Sequence, residues 1–329
     1  MKKFLATATA AVMSFACIGL TACDDKKADF SVGIVQLVTH DALDSATQGF
    51  KDALTEKLEE AGKTVKFDYQ NASNDTTMCT TIVNNFVSKK VDLIMANATP
   101  ALQAANAATE TIPVLGTSIT DYGVALGIEN FNGTVGTNVS GTADLAPLEE
   151  QATMMVDLLG LTADDKVAIL YCSAEPNSKY QADVVKAELA EKSVTADIKT
   201  FVDSNDIASI CNGIVASGYD AVYVPTDNTV ASNTSTIDNI LKPADIPVFA
   251  GEEATCKGCG FATLAISYYN IGVKTGEMAA EILLGTKKVS EMPIAYDQAP
   301  VKKYNAKVCA EFGITIPSDY LVIAGTEVE

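Results

Sequence analysis

The sequence predicts an α/β protein made of two similar lobes, each a parallel sheet wrapped by helices, with a cleft between them. Three observations carry this. Strand-like and helix-like stretches alternate along the chain, and such alternation builds parallel sheets covered by helices. The pattern restarts after Gly141. The length of 329 residues with 48% apolar composition is enough for two cores rather than one.

In order, Phe30 to Val38 is a continuous apolar run, as expected of a strand buried on both faces. Asp41 opens a helix with Leu43, Phe50, Leu54 and Leu58 on one side, closed by Gly62. A strand at 64–69, a helix at 76–88, a strand at 92–96, a helix at 100–109 and a strand at 112–115 complete the first half. The second half predicts helices at 144–159, 177–191, 206–216 and 228–240. Its strands fall at 166–171, 194–201, 219–224 and 246–250. Asp92-Leu-Ile-Met-Ala is echoed by Asp220-Ala-Val-Tyr-Val, and Ile112-Pro-Val by Ile246-Pro-Val. The remainder holds a strand at 261–266, a Tyr268–Leu284 helix, a strand near 293–297 and a short helix from 304. Too short for a third lobe, this tail is expected to patch the first two, so that the chain crosses between them more than once. The expected partition is 30–142 plus about 267–297 for lobe 1, and 143–266 plus about 298–329 for lobe 2.

Residues 1–22 read as an address. Met1-Lys2-Lys3 is a short positive start, and residues 4–20 are apolar and small without a charge. At about 1.5 Å per residue the run falls short of a ~30 Å hydrocarbon core. Leu20-Thr21-Ala22-Cys23 resembles the lipobox of bacterial lipoproteins. That resemblance implies cleavage before Cys23, lipid on its thiol, a tether over 23–29, and folded lobes held outside the cytoplasm.

Composition removes several functions. The net charge is −19, every one of the 23 basic residues is Lys, and no basic run exceeds a pair, so nucleic acid is not an expected partner. The only histidine is His40. Two-His metal sites and the HExxH zinc helix are therefore ruled out, and no G-x-S-x-G turn or phosphate-binding glycine loop occurs. No cofactor or metal is expected. Outside Cys17 and Cys23 there remain Cys79, Cys172, Cys211, Cys256, Cys259 and Cys309, which admit 15 complete pairings. Cys256 and Cys259 could form a loop disulfide, the favoured reading, or be half of a metal site or two free thiols, whereas Cys79 and Cys211 sit on apolar helix faces as buried thiols would.

Ligands of open parallel sheets bind beyond the carboxyl ends of the strands. Here those ends carry polar loops: Gln36 to Asp44, Ala96 to Gln103, Gly116 to Asp121, Tyr171 to Ser178, Val224 to Asn228, and Ala250-Gly-Glu. Together with the lipobox, this loop set resembles the tryptophan/tyrosine-type substrate-binding lipoproteins of bacterial ABC importers. The resemblance implies the type I periplasmic-binding-protein fold with three interlobe crossings, a monomer, and a membrane permease with its ATPase as partners. It also implies a non-enzymatic protein holding a small molecule, an aromatic L-amino acid, in the cleft.

Such a zwitterion needs an acceptor for its ammonium and donors for its carboxylate. Asp227 follows a buried strand and starts a helix, so it suits the ammonium, and equally an N-cap. Without arginine, the carboxylate must rest on helix-start N–H groups and hydroxyls. Thr117 and Ser118 are the candidates in one lobe, and Ser173, Asn177 and Ser178 in the other, with Asn228 beside Asp227. Gln36 and His40 follow the first strand at the cleft mouth, His40 also being placed to cap a helix. Tyr122, Tyr180, Tyr268 and Tyr269 are available as aromatic walls. A sugar or nucleoside ligand, a sensory role, and a hydrolase using paired acids among Asp121, Glu175 and Asp227 are the competing readings.

Overall fold

The computed structural model describes residues 28–296 and 300–328. The expected signal, Cys23 and most of the tether lie outside the described residues, as does the end of the strand placed at 293–297. Among the described residues no helix is long and apolar enough to cross a membrane.

The first half builds β1 (Phe30–Gln36), α1 (Asp41–Glu60), β2 (Val65–Asn71), α2 (Thr76–Lys89) and β3 (Leu93–Asn97). It continues with α3 (Thr99–Ala108), β4 (Val114–Ile119), α4 (Tyr122–Leu126) and β5 (Val139–Ala143). The second half repeats this with α5 (Leu148–Leu159), β6 (Lys166–Cys172), α6 (Pro176–Glu191), β7 (Thr195–Phe201), α7 (Ile207–Ser217) and β8 (Ala221–Val224). Then follow α8 (Asn228–Ala231), α9 (Thr234–Leu241), β9 (Val248–Ala250), α10 (Glu253–Cys259) and β10 (Ala262–Ala265). The tail supplies α11 (Tyr268–Leu283), β11 (Ala295–Tyr296), β12 (Val301–Tyr304), α12 (Ala306–Phe312) and β13 (Leu321–Val322).

The strands form two sheets, ordered β11-β5-β4-β3-β1-β2 and β13-β12-β10-β9-β8-β6-β7. The first five strands of each half share the order 2-1-3-4-5, which is the structural form of the repeat legible in the sequence. Pairing is parallel except between β10 and β12. The chain passes from the first sheet to the second after β5, returns after β10 into α11, and passes again between β11 and β12.

Each sheet is covered on both faces. In the first, Phe86 and Leu102 pack one face, while Phe50, Leu54, Leu58 and Met278 pack the other. In the second, Met155, Val185 and Val308 lie on one side, and Ile207, Ile214, Ile237 and Leu241 on the other. Helices α1 and α11 meet backbone to backbone, because Gly49 faces the Tyr269 carbonyl and Gly272 faces the Ala46 carbonyl. A Cβ at either glycine would overlap that oxygen. Gly272→Ala should therefore cost about 1–3 kcal/mol through overpacking, at roughly 2–4 °C of melting temperature per kcal/mol. A melting temperature within 1 °C of wild type by calorimetry would show that the helices simply slide apart.

Three local expectations differ from the fold. The helix expected at 144–159 begins only at Leu148, because Pro147 occupies its N-cap and biases Ala146 away from helix. Residues 139–143 instead form a central strand. The helix expected at 228–240 breaks at Ser232-Asn233, whose side chains bond back to the Asn228 and Thr229 carbonyls and compete with the helical ladder. Cys256 and Cys259 sit in α10 as free buried thiols, not in a disulfide loop. Cys79 and Cys211 are free and buried as expected, and so are Cys172 and Cys309.

Candidate functional site

The carboxyl ends of both sheets face one another, and their loops meet in a closed junction. His40 Nε2 lies 3.3 Å from Asn228 Oδ1 of the other lobe. Asn74 Nδ2 donates to Thr229 Oγ1 at 3.1 Å, and Gln181 Nε2 to Thr120 Oγ1 at 3.3 Å. These three bonds join the loops after β1, β2 and β4 of lobe 1 to α6 and the start of α8 in lobe 2.

On the lobe 1 side the backbone takes the left-handed region at several non-glycine positions, Ser73 and Asn74 after β2 among them. Ala98, after β3, has φ 89°, and Ser118, where the β4–β5 pairing shifts register, has φ 56°. Each such residue costs of order 1–3 kcal/mol, and such strain gathers at ligand sites. Ser118 is buried and its Oγ has no partner. Ala98 occupies the N-cap of α3 and offers no side-chain cap.

On the lobe 2 side two carboxylates hold the start of α8. Asp227 Oδ1 accepts from Val230 N at 2.8 Å, and Oδ2 accepts from Cys172 N at 2.8 Å. Glu175, at the N-cap of α6, accepts from Thr229 N and Oγ1 through Oε1, and from Asn228 N and Nδ2 through Oε2. Asn177 Nδ2 and Ser178 Oγ both donate to the Thr226 carbonyl, which leaves Asn177 Oδ1 buried without a partner.

Two crossings complete the junction. Asp144 follows β5, and the Tyr268 hydroxyl at the start of α11 donates to its Oδ2 at 2.8 Å. The Thr120 hydroxyl lies beside the same carboxylate. Tyr268 also lines a groove of about 530 Å³ between Asp41 of α1, Lys257 of α10 and Lys303 of β12. Glu252 shares that wall and caps α10 by accepting from Ala254 N and Thr255 N.

The electrostatics are one-sided. Asp144, Glu175, Asp227 and Glu252 are all buried, whereas among the described residues no lysine is buried and the chain has no arginine. Burial pushes the Asp144 carboxyl up. It pushes Asp227 up as well, and the neighbouring Glu175 charge adds to the shift. Buried acids without a counter-charge set a field that attracts a cation. Among the described residues no group of three or more His, Cys, Asp or Glu is arranged to hold a metal ion.

Of the residues singled out in the sequence, His40, Ser118, Asn177, Ser178, Asp227 and Asn228 come together at this junction. The others are engaged within their own lobes. Gln36 bonds Val38, Asp44 and Thr47, Thr117 bonds Thr142, and the exposed Ser173 bonds the Phe201 carbonyl. Among the tyrosines, Tyr268 reaches the junction. Tyr122 is buried in lobe 1 with its hydroxyl on the Thr142 carbonyl, and Tyr269 bonds Asp52 at the surface. Sequence reasoning missed Asp144, Thr120 and Gln181. The one available signal was Pro147, which excludes Asp144 from the helix that masked it.

The profile of the family described as ABC transporter substrate binding protein matches residues 31–328. A tyrosine-binding protein of Clostridioides difficile is 34% identical over 270 residues, 82% of this chain and 77% of that protein. An ABC domain from Streptococcus pneumonia, solved in complex with L-Trp, matches with a TM-score of 0.81 at 31% identity. That match covers 88% of this chain and 96% of the other. The ligand-free, open structure of a substrate-binding protein with adhesive properties from Clostridium difficile matches with a TM-score of 0.65 at 34% identity. It covers 89% of this chain and 99% of the other.

Proposed function

The chain belongs to the ABC transporter substrate-binding protein family, and from that premise we propose that it captures an aromatic L-amino acid between its lobes and delivers it to an ABC permease and its ATPase. The observation that carries the reading is the lobe junction itself. Buried polar atoms without partners (His40 Nδ1, Ser118 Oγ, Asp144 Oδ1 and Asn177 Oδ1) come from both lobes and the crossing between them, beside four acids and no lysine buried among the described residues. An ammonium group satisfies that field. The solute's carboxylate then lies against Ser118 Oγ and the start of α3, whose N-cap residue Ala98 makes no side-chain cap.

The tyrosine-binding relative and the L-Trp complex support an aromatic side chain. Closure has its own support: at similar identity, the chain is closer in shape to the L-Trp complex than to the open, ligand-free relative. In this reading His40–Asn228 and Gln181–Thr120 are bonds of the closed state.

The test is a melting panel with L-Trp, L-Tyr and L-Phe. Ligand at 100 times its dissociation constant adds about 2.7 kcal/mol, which for lobes of this size raises the melting temperature by roughly 5–10 °C. Small-angle scattering at saturation should show a smaller radius of gyration. If only a sugar or nucleoside shifts the melt, the family stands and the amino-acid assignment falls.

We place the lobes outside the cytoplasm on a lipidated Cys23, with residues 23–29 as the tether. Cys23→Ala should move the protein from the membrane fraction to the soluble one. Variant protein that stays with the membrane would remove the anchor.

A further inference from the structure

Among the described residues four carboxylates are buried around the lobe junction, and their bonding separates one from the rest. Glu252 has both oxygens on the first N–H groups of α10. Asp227 has one oxygen on Val230 N and the other on Cys172 N. Glu175 has two donors on Oε1 and three on Oε2. Asp144 has Tyr268 on Oδ2, with the Thr120 hydroxyl and its own N–H beside the carboxylate, while its Oδ1 is buried and makes no hydrogen bond. Asp144 is 4% exposed, so bulk water does not supply the missing donor.

We propose that Asp144 is the receptor for the ammonium group of the bound solute, and that Asp227, the acid most visible in the sequence, holds the α8 loop in place. The inference rests on the amino-acid reading above and names the residue that reads the charged end of the ligand. A buried carboxylate lacking a donor is costly until it is neutralised or paired, so an ammonium at Oδ1 gains a full charge-assisted bond there. The other three acids offer no oxygen free of protein donors.

The location adds a consequence. Asp144 lies on the first crossing between the lobes and Tyr268 starts the helix after the second, with Thr120 linking this pair to Gln181 of lobe 2. A cation seated on Asp144 therefore touches the segments that carry the hinge. Recognition of the amine and closure become one event.

The test compares each aromatic amino acid with its analogue lacking the amine, for example L-Trp with indole-3-propionate, by calorimetry. Wild type should prefer the amine by about 30-fold or more, the scale for a desolvated charge pair. In Asp144→Asn that preference should collapse to within a few-fold, while binding of the amine-free analogue persists and reports an intact fold. In Asp227→Asn both ligands should weaken together and the preference should remain. An amine preference that survives in Asp144→Asn overturns the assignment and leaves the amino-acid reading standing. A wild-type protein that binds no α-amino acid overturns both. Should Asp144→Asn not fold, a crystal structure of the wild-type complex decides: nitrogen within hydrogen-bond distance of Asp144 Oδ1 supports the proposal, and nitrogen placed elsewhere ends it.

Discussion

Glu175→Ala is expected to lower stability by about 3–5 kcal/mol and to loosen the lobe 2 half of the cleft. Glu175 sits at the start of α6 but serves α8, because its two oxygens take the N–H groups of Asn228 and Thr229 at 3.0 and 2.9 Å. They also take Asn228 Nδ2 at 2.7 Å and Thr229 Oγ1 at 2.8 Å. Truncation leaves four buried donors with no acceptor, and each orphaned group costs about 1–3 kcal/mol before relaxation. The loss also travels across the cleft. Asn228 and Thr229 are the residues that His40 and Asn74 meet from lobe 1, so a freed α8 no longer presents those cross-lobe partners. Glu175→Gln keeps the shape and one acceptor oxygen, and should fall between wild type and alanine. Urea unfolding measures all three. An alanine variant within 1 kcal/mol of wild type would show that water replaces the carboxylate and that the network is dispensable.

The fold was largely legible because periodicity reports burial, and burial places helices and strands. The apolar run Phe30 to Val38 and its counterpart at 166–171 became β1 and β6 of two sheets with the same strand order. What escaped were elements without periodicity. β5 (Val-Ser-Gly-Thr-Ala) reads as turn chemistry, yet it is buried at every position because the crossing and α11 cover it. The Cys256-Lys-Gly-Cys259 stretch carries a helix-breaking glycine, and the cap from Glu252 overrides it. The site was legible only lobe by lobe. Strand ends single out Ser118, Asn177 and Asp227 as candidates, since ligands of open parallel sheets bind beyond those ends. The pairing of His40 with Asn228, 188 residues apart, depends on the angle between lobes, which no local pattern encodes. Asp144 was hidden for a different reason: it looks like the first turn of a helix and is instead a crossing.

Without ligand, the protein should lose stability as pH rises from 5 to 8, and Asp227→Asn should remove most of that loss. Asp227 is buried beside the Glu175 charge, and these two effects outweigh its two N–H bonds, raising its pKa to about 8. In the unfolded chain it titrates near the ordinary value of about 3.9. Between those values the folded state holds a proton that the unfolded state has released, so stability falls with rising pH. The contribution is fully present below the unfolded value and is lost as pH climbs through the folded one. At about 1.36 kcal/mol per unit, the loss across this window is on the order of 3 kcal/mol. The asparagine variant keeps an acceptor for Val230 N but turns an NH₂ group toward Cys172 N, a mismatch of about 1–3 kcal/mol. It should therefore be less stable than wild type at pH 5, with the gap narrowing or reversing by pH 8. Asp144 is also pushed up by burial and acts in the same direction, so a shallower slope should survive in the variant. Self-repulsion of a chain carrying −19 adds to that residual slope equally in both proteins. A bound ammonium brings the missing counter-charge, so saturating amino acid should flatten the wild-type slope. Urea midpoints at pH 5 and pH 8 for both proteins, with and without ligand, measure every term. Wild type as stable at pH 8 as at pH 5 would mean that Asp227 is ionised throughout, and that its two N–H bonds alone hold the charge.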